Sequence, residues 1–233
     1  MIKILAFDLS TTQTGVAVAS VTDNCLMSLD TISITPKSSN PADLGFLKTK
    51  QRVTTKSGAQ VSSYVKQKGE IVTKKEAKAR NLLVKKYSET SRLTETVSEI
   101  SSLLDVYAPS LVLMEENMAF RNIDTTRQLA EVAGALQAMT STRGIELEKI
   151  NVLTARSHWN ISKECIAFSR TLTESDLKAV KDLTKETLKA LMLSEFRWYK
   201  LSSSMSTDES DALVLIFHWL TKNDLDWRKD NSD

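Results

Sequence analysis

The sequence is poor in the residues that staple, punctuate or anchor a chain. Its 233 residues include two cysteines, Cys25 and Cys165, far apart and with no metal-ligand spacing around either. That argues against a disulfide framework or a thiolate metal site, and for buried or partly buried thiols in a reducing cytosol. No apolar run approaches the roughly 18 residues that a bilayer span needs, so no membrane segment is expected. Nor is a signal peptide expected, because Asp8 interrupts the first apolar run and no cleavage-like site follows. Six glycines and three prolines accompany the lack of any internal repeat or low-complexity tract. These absences leave a soluble, cytoplasmic globular protein.

What is present fits that class. Apolar residues make up 41% and charged residues 26%, ordinary values for a globular chain. The length suits a single domain with an insertion. The net charge of +2 hides an asymmetry. From Lys37 to Arg92 there are fourteen basic and four acidic side chains, a net of +10; the remainder has seventeen against twenty-five, a net of −8. A basic segment on an acidic body suggests a polyanionic partner, unless it is only a solvated lysine-rich loop.

Residues Ile4–Phe7 form an apolar run that stops at Asp8, a hydroxyl-rich turn follows, and Gly15 lets the chain reverse into Val16–Val21. Both runs read as buried strands. Asp23-Asn24 marks a turn, and Cys25–Ile34 reads as a third strand of a meander. Residues 36–72 mix Lys, Ser, Thr and Gly, as a basic hairpin or as unstructured chain, with Gly58 and Gly69 as turn points. Thr73 and Glu76 have capping-box spacing, with Val72 and Ala77 placed as a staple. A long helix follows, with a break expected near Ser88–Ser91 and an end at Pro109.

Leu111–Met114 is a fourth strand ending in Glu115-Glu116. A helix over 125–143 carries Leu129, Val132, Ala133, Leu136 and Met139 on one side. A strip of Ala130, Gly134 and Ala138 on it suits a close helix contact, between subunits or within the domain. Leu147–Leu153 is a fifth strand, a helix from about Ser175 to Phe196 follows, and the last helix starts near Asp208. The tail from Lys222 is expected to fray. The order predicts an α/β fold, a mixed five-stranded sheet flanked by helices. It forms one domain, 1–233, with a basic insertion at about 36–90.

Four carboxylates stand out: Asp8 and Glu115 (or Glu116) at strand ends, and Asp208 and Asp211 at i, i+3 on one helix face. A carboxylate at a buried strand end is costly unless paired, hydrogen-bonded or bound to metal. Hard oxygen ligands in such a group suit Mg²⁺ or Mn²⁺ and poorly suit zinc. Each acid also has an ordinary reading. Asp208 serves as an N-cap, Asp211 as a first-turn acid, Glu115 as a solvated strand end, and Asp8 bonds its own turn.

The motif D-x-x-[ST]-x-x-T-G, here Asp8, Thr11, Thr14 and Gly15, resembles RuvC-type Holliday junction resolvases of the ribonuclease H-like superfamily. So do V-L-M-E ending at Glu115 and D-E-S-D-A-L from Asp208 to Leu213. The helix containing Gly134 resembles the family's dimer helix. The resemblance implies a ribonuclease H-like fold and a metal-dependent endonuclease that resolves four-way junctions, with Y-structures and replication forks as further branched substrates. It implies catalytic, metal-holding roles for Asp8, Glu115, Asp208 and Asp211, and a catalytic-side role for Lys185. Two Mg²⁺ per site are implied, Mn²⁺ substituting, with Asp8 between them and products bearing 5′ phosphate and 3′ hydroxyl. DNA contacts are expected from Thr11, Thr14, Met118, Phe120, Arg121, Lys74, Lys75, Lys78 and Arg156. A homodimer through the helix around 125–143 would present two sites to the two strands of a junction.

The sequence also departs from the family. Met118 stands where an aromatic residue is common, with Phe120 nearby. The lysine expected soon after strand five is not evident, since His158 and Trp159 occupy that region. The segment from Pro36 to about Ser91 is longer than in bacterial members; that length fits a bacteriophage-encoded member working in recombination, replication or packaging. Two rivals share the opening motif. One is an actin-like sugar-kinase phosphotransferase, which needs a Gly-rich adenosine motif absent after residue 150. The other is a non-catalytic ribonuclease H-like scaffold, which would not require Glu115 with the Asp208/Asp211 pair.

Overall fold

The computed structural model describes residues 1–10, 12–22, 25–36, 53–54, 60–61, 64–67, 70–116, 123–156 and 174–227. They divide into two compact units, Met1–Thr35 with Thr96–Asp233, and Pro36–Glu95.

The larger unit is built on a five-stranded mixed sheet. Strands β1 (Ile2–Asp8), β2 (Thr14–Val21) and β3 (Leu26–Ile34) form the antiparallel meander. Strand β8 (Leu111–Glu115) lies parallel to β1, and β9 (Glu146–Ile150) parallel to β8, giving the order β3-β2-β1-β8-β9. This is the mixed five-stranded sheet expected from the order of apolar runs. The side-chain period of two sorts the central strands. Ile4, Ala6, Leu111 and Leu113 share a core with helices α4 (Glu174–Glu195) and α5 (Thr207–Lys222). Leu5, Phe7, Val112 and Met114 point to the other face. There, the buried residues are Ile100 and Leu104 of α1 (Lys74–Tyr107) and Leu129, Val132 and Leu136 of α2 (Ile123–Thr142).

The unit Pro36–Glu95 contains two short antiparallel pairs, β4 (Val53–Thr54) with β5 (Gln60–Val61) and β6 (Tyr64–Gln67) with β7 (Glu70–Thr73). Gly58 and Gly69, the expected turn points, and Asp23-Asn24 lie outside the described residues. The capping box at Thr73 forms: Glu76 N–H donates to Thr73 Oγ1 at 3.2 Å, and Thr73 N–H to Glu76 Oε2 at 2.9 Å.

Three expectations are corrected. Helix α1 does not break at Ser88–Ser91 but runs unbroken for 34 residues. It holds no glycine or proline, so no residue of the stretch forces a break in the backbone hydrogen bonding. The fifth strand ends at Ile150, not Leu153. Asn151 Oδ1 accepts from Thr154 N–H and Asn151 O from Ala155 N–H, which starts α3 (Val152–Arg156). The tail does not fray at Lys222. Leu26 N–H donates to Asp226 O at 2.9 Å, and Trp227 meets Phe217 edge-on with ring centroids 4.9 Å apart. The strip Ala130, Gly134 and Ala138, read as suiting a close contact between subunits or within the domain, is exposed, on the side of α2 away from Leu129, Val132 and Leu136.

Candidate metal centre

Asp8 closes β1 opposite Gly15 on β2. That glycine is required for a reason other than chain reversal. A Cβ at Gly15 would overlap the main-chain carbonyl of Asp208, so the missing side chain admits the first turn of α5 against the strand. The chain thereby brings residue 208 beside residue 8. Ser206 caps α5: Glu209 N–H donates to Ser206 Oγ at 3.1 Å, and Ser206 N–H to Glu209 Oε2 at 2.7 Å. The N-cap role considered for Asp208 thus falls to Ser206, and the buried Glu209 carboxylate is consumed in the same box. Asp208 and Asp211 are left to face Asp8.

Carboxylate oxygens of Asp8, Asp208 and Asp211 lie within 4.8 Å of one another. Glu115, at the end of β8, lies close enough to Asp8 to raise its carboxyl, but it is not among the three side chains whose oxygens converge. Its neighbour Glu116 is exposed and donates its N–H to Ile150 O at 2.8 Å. Asp8 is 9% exposed and Asp211 5%. Burial first, then Asp211, Glu115 and Asp208 push the Asp8 carboxyl well above the usual range. Asp208 is also raised, by burial and Asp211, against an opposing pull from Lys185.

Two cations enter the cluster. Arg156, the last residue of α3, donates from Nη2 to Asp211 Oδ1 at 2.6 Å. Lys185 Nζ lies 3.6 Å from Asp208 Oδ1. Four carboxylates thus meet two cations, and a remaining negative charge in a partly desolvated place draws a further cation. All the donors are hard oxygens, the chemistry of Mg²⁺ or Mn²⁺. The residues fit such an ion.

The other expected residues fall differently. Thr14 is buried, and its hydroxyl donates to Ser10 O at 3.4 Å, so it holds the turn from inside instead of facing DNA. Lys75 and Lys78 are exposed on the first turns of α1. Thr11, Met118, Phe120, Arg121 and the Lys74 side chain lie outside the described residues. Arg156, expected only as a DNA contact, is a basic residue after strand five, and its pairing with Asp211 was not foreseen. Reading β9 three residues too long hid the start of α3, although Asn151 as a helix cap was the available signal.

No protein-family model and no curated protein matches the sequence. Among solved structures, the chain is similar to Thermus thermophilus RuvC in complex with a Holliday junction substrate. The identity is 12%, over 94% of this chain and 92% of that one, with a TM-score of 0.48. A second Thermus thermophilus RuvC structure matches at 12% identity over 95% and 96% of the two chains, TM-score 0.46. The yeast mitochondrial Holliday junction resolvase matches at 13% identity over 95% of this chain and 80% of its own, TM-score 0.43.

Proposed function

We propose that the chain is a divalent-metal-dependent endonuclease that cuts branched DNA, four-way junctions above all. The observation that carries this reading is the convergence of Asp8, Asp208 and Asp211 within 4.8 Å, with Glu115 close enough to Asp8 to raise its carboxyl. Those four side chains hold Mg²⁺, or Mn²⁺ in its place. When bound, the metal supplies water activation and stabilisation of charge on a phosphodiester. Asp211 is held in orientation by Arg156, and Lys185, half exposed beside Asp208, offers a cation to the phosphate. Lys74, Lys75 and Lys78 contact the backbone through charge, and Thr11, Met118, Phe120 and Arg121, which follow Asp8 and Glu115 in sequence, add further DNA contacts. A homodimer through the exposed face of α2 pairs the two cuts.

Incubation with four-way, Y-shaped and linear DNA tests the reading. Wild-type protein cuts the four-way junction in Mg²⁺ or Mn²⁺, leaving ends a ligase can seal, and is inert in chelator. Asp8→Asn binds the junction without cutting it. Cleavage by Asp8→Asn in Mg²⁺ would remove the site assignment, and equal cutting of linear duplex would remove the branch preference.

A further inference from the structure

The pairing of Arg156 with Asp211 has no counterpart in the sequence reading, and it bears on how many ions the centre holds. Asp8, Glu115, Asp208 and Asp211 carry four negative charges when ionised. Among the described residues, Arg156 and Lys185 return two of them. One divalent ion then neutralises the cluster, whereas a second would bring uncompensated positive charge into a partly buried place.

The two cations are not equivalent. The Lys185 contact is 3.6 Å long with the lysine side chain 43% exposed, a loose pair. The Arg156 contact is a 2.6 Å charge-assisted hydrogen bond to a side chain only 7% exposed. Arg156 also keeps an unsatisfied donor: its Nε is buried and has no hydrogen-bond partner. The guanidinium meets Asp211 through one nitrogen and one oxygen, so a donor is left that a DNA phosphate could take in a bidentate pair.

On the reading of this cluster as a metal centre, we propose that Arg156 is a positioning residue that limits the DNA-free protein to one divalent ion. Its hydrogen bond engages an Asp211 oxygen that would otherwise be free to help hold an ion. An arriving phosphate draws the guanidinium away and frees Asp211, so the second ion is admitted only with substrate. The arrangement keeps the centre incomplete until DNA is present.

Counting bound Mn²⁺ on the full chain without DNA, from the electron paramagnetic resonance signal of the free ion, tests this. Wild type binds one ion per chain. Arg156→Gln and Arg156→Met bind two, or take the second at least about tenfold more tightly, the scale expected from removing one unit charge a few ångströms away. Arg156→Lys, which keeps the charge, stays near one. Circular dichroism checks that the variants fold. Two tight ions on wild type would overturn the proposal without any variant, as would folded Arg156→Gln with an unchanged isotherm; the metal-centre reading would stand in both cases. No Mn²⁺ on wild type would overturn that reading and the proposal with it.

Discussion

At Asp8, ionisation is opposed from several directions at once, by burial and by three neighbouring carboxylates. The sign of the consequence follows from linkage. Its folded-state pKa lies above the unfolded value of about 3.9. Between those two values the native state keeps a proton that the unfolded chain has released, so stability falls as pH rises through that window. In chelator, Asp8→Asn should therefore match wild type below about pH 4 and gain on it as pH rises. A gain of ~1 kcal/mol lifts Tm by about 2–4 °C in a chain of this size. Adding Mg²⁺ reverses the order, because the ion stabilises only the protein that keeps its carboxylate. Thermal melts across pH, with and without Mg²⁺, measure both effects; a pH-independent difference would mean that Asp8 ionises freely. All four acids could be picked out from the sequence because each begins or ends an apolar element. The Arg156–Asp211 pair could not, since it joins positions 55 residues apart with no local pattern to mark it.

Elements were legible where their ends carry their own chemistry. Thr73 with Glu76, Pro109 after α1 and Gly144 after α2 each mark a boundary that the chain respects; Gly144 has a φ of +65°. Boundaries fixed by competing interactions were harder. Asn151 turned the end of an apolar run into a helix start, and a serine-rich stretch without glycine or proline stayed helical within α1. Contacts between elements were least legible, and Gly15 shows why. Its sequence context suggests a reversal, but its lack of a side chain matters through the backbone of α5, nearly two hundred residues later. Gly15→Ala must push that helix turn outward, an overpacking that should cost at least about 2 kcal/mol. Because the displaced turn carries Asp208, Mn²⁺ affinity should fall together with Tm. An unchanged melt would show that α5 can shift freely on β2, and the geometry of the acid cluster would then need another cause.

Over the whole molecule, charge separates more sharply than fold. The basic segment from Lys37 to Arg92 nearly coincides with the compact unit Pro36–Glu95, while the acidic cluster belongs to the larger unit. Composition made that division visible, since fourteen cations in 56 residues need no folding argument. The internal structure of the segment was less visible, because its alternation is too weak to set strand register. If the segment serves DNA binding, its contribution is electrostatic and must decline with salt. Each phosphate neutralised adds about −0.9 to the slope of log K against log salt concentration. Reversing the charge of Lys74, Lys75 and Lys78 together should therefore weaken four-way-junction binding and flatten that slope by about one unit for each lysine that meets a phosphate. Linear duplex DNA should lose affinity in parallel, because phosphate contacts carry no information about branching. A triple variant with unchanged affinity and slope at moderate salt would assign these lysines to solvent. Loss confined to the four-way junction would instead mean that they read its shape.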